Sequence, residues 1–214
     1  MRDVRMLFVG NSYTSRNQLP QRIAELGGSS SRGTRIQTNS IVAGGASLKR
    51  HWNAGHAQRA LAEARFDYVV LQEQSTLPVK SPQRYHDNVR LFSALIAAHG
   101  SVPVLYLTWS RANAPQTQQL LDDAVDSIAV EIGARVVPVG PAWHAVMRAE
   151  PAIALYEDDG SHPTPAGSYL AACTFVACLF GTLADDDVVA VRMKIPGDIA
   201  ARLRAVAVRS CAER

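Results

Sequence analysis

The sequence predicts an α/β protein: a three-layer α/β/α sandwich built around a five-stranded parallel sheet. Three observations carry this reading. Short runs of β-branched and aliphatic residues alternate with longer segments of helical periodicity along the chain. The short runs are apolar on both faces, as strands covered by helices on both sides must be. Glycine and proline punctuate the junctions.

The elements follow in order. VRMLFVG (4–10) is the first strand and stops on a glycine. LPQRIAELGG (19–28) is a helix closed by paired glycines, a C-terminal stop signal. GGSSSRGT (27–34) is a flexible loop of turn residues, too short to divide domains. TRIQTNSIVAG (34–44) is the second strand, and one helix is expected over 47–66. DYVVLQEQ (67–74) is the third strand and VPVLYLTWS (102–110) the fourth. The helices at 81–100 and 114–133 open with proline near the first turn and close at glycine. Their apolar residues recur at helical spacing: Leu91, Leu95 and Ala98 in one, Leu121, Val125, Ile128 and Ile132 in the other. ARVVPVG (134–140) is the fifth strand, and a final pair of helices covers 164–181 and 196–213. No repeat or linker interrupts the pattern, so one domain is expected over 1–214.

At 47% hydrophobic and 19% charged residues, the chain reads as soluble and globular rather than disordered. A net charge of +3, with the basic residues spread out, gives no footprint for nucleic acid. No run is long and apolar enough to span a membrane. The first apolar run is only a strand's length, so no signal peptide is visible, although a chain whose leader had been removed would look the same. The three cysteines, Cys173, Cys178 and Cys211, form no CxxC pair, and an odd number makes no disulfide framework. Cys173 and Cys178 lie in the apolar run YLAACTFVACLFG and read as buried thiols, which leans toward a reducing, cytoplasmic compartment.

The chemistry begins at LFVGNSYTS. In open parallel sheets ligands bind at the carboxyl ends of strands, and Ser12 stands just past the end of the first one. Taken alone, it is an ordinary turn serine capping a helix. The second feature is YEDDGSHPTPAGSYL, where Asp159 precedes His162 by three residues in a loop that opens a helix. Taken alone, these are a helix-start acid and an exposed loop histidine. Together with Ser12 they supply the parts of a nucleophile, its base and the group that orients the base.

The two motifs, GNSYT near the start and DGSHP near the end, resemble the SGNH (GDSL-type) hydrolase family, in the branch that pairs GNSYT with LQEQS. Asn11 stands where that family often has aspartate. The resemblance runs from strand one to the helix after His162, and implies the family's flavodoxin-like fold with Ser12 as nucleophile, His162 as general base and Asp159 as its partner. There is no G-x-S-x-G elbow, so the larger α/β-hydrolase class lacks its central motif. The resemblance also implies an oxyanion hole from the Ser12 N–H, a glycine after strand two and a side-chain amide after strand three. In NSIVAGGAS the better match to that glycine is Gly44, with Gly45 beside it; a lone glycine pair would otherwise be a simple turn. The third block departs from the family's Gly-x-Asn-Asp: Gln72 takes the glycine position and Gln74 the asparagine position. Gln74 can donate the same amide N–H from a side chain one methylene longer; otherwise both glutamines bond within a strand-end loop.

Asn11, Gly45, Gln72 and Trp109 are further substrate-binding candidates, Trp109 being alternatively a core or rim aromatic. Arg111 meets either an anionic substrate or solvent. His51 and His56, five apart, are poorly spaced to share a metal on one helix face and read as surface histidines, and no metal-ligand set is convincing. The expected function is a serine esterase acting without a cofactor on a short-acyl ester, acetyl foremost, of a small molecule or carbohydrate. The alternatives are a non-catalytic carbohydrate-binding module on the same fold, motivated by Gln72 and Gln74, or an acyltransferase using the same triad. A nucleotide binder would use the same crevice but lacks a G-x-G-x-x-G or P-loop motif.

Overall fold

The computed structural model describes residues 2–30, 34–181, 183–184 and 188–213. Five parallel strands form one sheet: β1 (Arg2–Gly10), β2 (Thr34–Val42), β3 (Tyr68–Leu71), β4 (Val102–Leu107) and β5 (Arg135–Pro138), in the order β2-β1-β3-β4-β5. Strand alternation sorts the sheet's side chains onto two cores. Met6, Phe8, Val70, Val104, Tyr106 and Val137 face one helix layer; Leu7, Val9, Val69, Leu71, Leu105 and Leu107 face the other. The first layer holds α2 (Leu19–Ser30), α8 (Val139–Ala149), α9 (Pro165–Phe180), α10 (Val188–Arg192) and α11 (Gly197–Ala212). The second holds α3 (Leu48–Ala54), α4 (His56–Glu63), α6 (Pro82–Ala98) and α7 (Gln118–Ile132). Short α1 (Ser12–Ser15) and α5 (Leu77–Lys80) follow β1 and β3. The predicted three-layer sandwich is therefore the observed one.

The chain leaves β1 for β2 on one side and returns to β3 on the other. The carboxyl ends of β1, β2 and β3 thus open around the point where the winding reverses, the place such sheets offer for a ligand. Among the described residues no helix is long and apolar enough to cross a membrane.

Several expectations are corrected. Strand β2 is not apolar on both faces: only Ile36 in it is buried, because it is an edge strand with one neighbour. The glycine pair does not stop α2, which runs on to Ser30; Gly27 sits in van der Waals range of Ile36, so a side chain there would collide with β2. The loop expected at 27–34 is thus partly helix, and its residues 31–33 lie outside the described residues. The helix expected over 47–66 is two, divided by Gly55, whose φ of +72° is left-handed. Helix α8 follows β5 directly, where a strand was expected to run on to Gly140.

The cysteines are corrected too. Cys178 and Cys211 form a disulfide joining α9 to α11, with Cα atoms 5.3 Å apart. Cys173 alone is a buried thiol. Sequence spacing cannot show this pairing, because it depends on how two helices pack.

Candidate active site

The site is assembled from two chain ends. β1 ends on Gly10, where a Cβ would come within 2.5 Å of Thr14 Oγ1 and 2.7 Å of Gln72 Oε1. Glycine is needed there because the turn folds back so closely on its own strand end. Asn11, not Ser12, caps α1: its Oδ1 accepts the Tyr13 N–H at 3.1 Å. The Asn11 amide is consumed in the fold, its Nδ2 donating to the carbonyls of Ala46 (3.1 Å) and Glu73 (3.4 Å). Ser12 is left as the first helical residue, half-buried at the cavity, with its N–H free of protein partners among the described residues.

The other end is the loop before α9. Asp159 Oδ1 accepts the N–H groups of Ser161 (2.9 Å) and His162 (2.8 Å), and Oδ2 lies 2.5 Å from His162 Nδ1. Those bonds hold the Asp159 carboxyl far below the usual carboxylate range, the His162 side-chain bond first. An ionised carboxylate requires the proton on Nδ1, so in the neutral ring Nε2 is the acceptor. His162 Nε2 is 2.8 Å from Ser12 Oγ, so the hydroxyl donates to it. Gly160 turns the loop at φ +63°, and the Thr164 side chain caps α9 by accepting the Gly167 N–H at 3.1 Å.

Three hydrogen bonds bind the two ends. Tyr13 Oη and Ser161 Oγ are 2.7 Å apart. Asn17 Nδ2 donates to the Pro163 carbonyl at 3.2 Å and to Ser168 Oγ at 2.8 Å. Tyr13 stacks on Trp109, and Trp109 on Trp143, with ring centroids 4.7 and 3.9 Å apart. Burial raises the Tyr13 pKa, so this phenol stays protonated as part of the scaffold.

A cavity of about 320 Å³ is lined by Ser12, His162, Gly44, Gly45 and Gln74, together with Asn11, Tyr13, Ser75, Arg111 and Ser161. The Gly44 N–H has no protein partner among the described residues. Gln74 Oε1 accepts the Thr76 N–H (3.0 Å) and the Thr76 hydroxyl (3.1 Å), which assigns the amide orientation and leaves Nε2 as a free donor. Hydroxyl, bare imidazole nitrogen and unpaired N–H donors around one cavity can together perform acyl transfer.

Other expectations are displaced. Gln72 does not reach the cavity: it is fully buried, its Oε1 accepting the Asn11 N–H (2.9 Å) and the Thr14 hydroxyl (3.0 Å), its Nε2 donating to the Glu73 carbonyl. Trp109 is not a cavity wall either; it is 1% exposed in the aromatic stack and donates from Nε1 to the Ser161 carbonyl at 3.0 Å. His51 is buried, not a surface histidine, with Nε2 2.7 Å from the Gly10 carbonyl; a carbonyl only accepts, so Nε2–H is the donor, and burial lowers the ring's pKa. Sequence reasoning missed Glu73. Its buried carboxylate accepts the N–H groups of Gln74 (2.7 Å) and Leu48 (2.9 Å) and the Asn88 amide (2.9 Å), tying the loops after β2 and β3 together. The signal was present: an acid between two glutamines at the end of a buried strand. Among the described residues no group of three or more His, Cys, Asp or Glu is placed to hold a metal ion.

No family model matches the chain, and no curated protein does. Solved structures do. A protein from Slackia heliotrinireducens assigned to the SGNH hydrolases is 33% identical, with a TM-score of 0.69 over 82% of this chain and 98% of its own. Axe2, an acetylxylan esterase from Geobacillus stearothermophilus, superposes with a TM-score of 0.67 at 17% identity, covering 81% of this chain and 92% of its own. TesA superposes with a TM-score of 0.61 at 16% identity, over 81% and 97% of the two chains. The last two likenesses are of fold alone.

Proposed function

The chain belongs to the SGNH hydrolases and is a carboxylic ester hydrolase, and from that premise we propose a serine esterase working through Ser12, His162 and Asp159 on short-acyl esters. One observation carries the reading. Ser12 Oγ, His162 Nε2 and Nδ1 and the Asp159 carboxylate form a continuous hydrogen-bonded line, at 2.8 and 2.5 Å, between residues 150 positions apart in sequence.

Ser12 Oγ attacks the ester carbonyl as His162 Nε2 takes its proton, and Asp159 holds the ring and stabilises the imidazolium. The oxyanion is received by the N–H groups of Ser12 and Gly44 and by Gln74 Nε2, donors already fixed before charge develops. His162 returns the proton to the departing alcohol. Water then attacks the acyl-enzyme by the same route, releasing the acid and restoring Ser12.

An acetyl or similar short acyl group fits readily in the cavity beside Ser12. A carbohydrate alcohol is in keeping with the fold's occurrence in an acetylxylan esterase. The anchored amide of Gln74, with Nε2 left to donate, favours the esterase over a purely binding module.

The test uses a short-chain aryl acetate and a serine-reactive phosphonate. Wild type is expected to turn the ester over and take the label at one site. Ser12→Ala is expected to lose the label and about four or more orders of magnitude in turnover. A folded Ser12→Ala that keeps its turnover refutes the proposal.

A further inference from the structure

A second cavity of about 150 Å³ adjoins the catalytic one and shares Ser75 and Arg111 with it. Val79, Ala114 and Leu121 give it apolar walls, and Lys80 and Arg111 are its charged groups. No acidic side chain lines either cavity among the described residues. Asp159, the nearest carboxylate of the machinery, is committed to His162 and two backbone N–H groups. Neither Arg111 nor Lys80 has an ion-pair partner among the described residues.

The backbone holds Arg111 in this place. The Ser110 N–H donates to Gln118 Oε1 at 2.7 Å, and the Ser110 carbonyl accepts from Tyr156 Oη at 2.7 Å. On the other side, the Ala112 N–H donates to the Gly160 carbonyl at 2.9 Å, inside the loop that carries Asp159 and His162. The strap that carries Arg111 is thus bonded to the acid–base loop, and its exposed side chain lies along the rim of both cavities. Arginine is also the side chain best shaped to receive a carboxylate or phosphate through paired N–H donors.

Resting on the esterase reading above, we propose that the natural substrate is an anionic ester. A short arm of it lies in the second cavity, its aliphatic part against Val79, Ala114 and Leu121 and its negative group on Arg111, with Lys80 as the second cation. The cavity is well below the roughly 300–1,000 Å³ of sites that enclose a whole ligand, so it takes an arm and not the body of the substrate.

The experiment compares kcat/KM within two pairs of esters. For an anionic acyl half, 4-nitrophenyl hemisuccinate is set against 4-nitrophenyl butyrate. For an anionic alcohol half, 3-acetoxybenzoate is set against phenyl acetate. In at least one pair the anionic ester is expected to be preferred about tenfold, the scale of one charge-assisted contact at a half-enclosed site. The pair that shows it identifies the half that carries the charge. The preference is expected to shrink severalfold between about 0.02 M and about 0.5 M salt, as screening tightens. It is expected to fall to near unity in Arg111→Ala, to an intermediate value in Arg111→Lys, and by a smaller factor in Lys80→Ala. Neutral esters equal or preferred in both pairs would overturn this inference while leaving the esterase standing. So would a preference undiminished in Arg111→Ala. A wild type inert toward all four esters overturns the esterase reading, and this inference with it.

Discussion

Replacing Gln72 measures how much of the nucleophile turn is held from behind. Its Oε1 is the acceptor for two buried donors, the Asn11 N–H at 2.9 Å and the Thr14 hydroxyl at 3.0 Å. Gln72→Met keeps the side-chain length and removes the acceptor. The Asn11 N–H cannot turn elsewhere, and an orphaned buried donor costs about 1–3 kcal/mol. The Thr14 hydroxyl can rotate, so it is counted at the low end, about 1 kcal/mol. The expected loss is therefore about 3 kcal/mol, a large part of the roughly 5–15 kcal/mol that a domain has. Gln72→Ala adds a cavity in a fully buried position, about 1–2 kcal/mol more. Urea unfolding followed by circular dichroism reads this as a lower midpoint at unchanged slope. Aryl-acetate kinetics on the same samples should show kcat falling with the misplaced turn while KM moves little. A stability loss below about 1 kcal/mol, or a large rise in KM at unchanged stability, would mean that Gln72 meets substrate and is not a strut.

Gln74→Ala should do the opposite. It leaves the fold nearly intact and lowers kcat by about a hundredfold, with KM changed by less than about threefold, as loss of one oxyanion donor does; an unchanged kcat in steady-state assays would remove Gln74 from that role. His51 gives a pH dependence. Burial lowers its folded pKa below the ordinary value of 6.5, more than the Gly10 carbonyl bond raises it. Below 6.5 the unfolded chain therefore binds a proton that the folded one refuses, and stability present at neutral pH is lost as pH falls through that window. Between about pH 7 and about pH 5 the unfolding midpoint of wild type should drop more than that of His51→Asn; equal slopes would refute the assignment.

What the sequence disclosed, and what it withheld, follows from the range of the interactions involved. Ser12, Asp159 and His162 stood in two short motifs at junctions whose turn chemistry is local, so they were legible as candidates. Trp109 and Gln72 were legible as residues near a strand end, but a strand-end position does not say on which side of the turn a side chain falls. Both point into the fold, where Trp109 lies between Tyr13 and Trp143. Helix α8 was missed because ARVVPVG reads as one strand, while Pro138 ends β5 and the helix begins at the next residue. Gly140 is there for close approach: a Cβ would run into Gln118 and the Thr108 carbonyl. His51 was misplaced because the break at Gly55 resets the helical phase, and with it the meaning of a five-residue spacing from His56. Glu73 showed in the chain as an acid between two glutamines at a strand end, but its role rests on three partners brought together only by the fold.

The short loop from Asp159 to His162 has a consequence for how such sites can be altered. It carries its own internal geometry: the carboxylate is fastened to the backbone of the histidine it orients. Relative to each other the pair is set by bonds within the loop, and the surrounding scaffold sets the separation from imidazole to hydroxyl. Insertions elsewhere along the rim can reshape what is admitted without detuning proton transfer. Lengthening this loop by a single residue would sever orientation from basicity at one stroke.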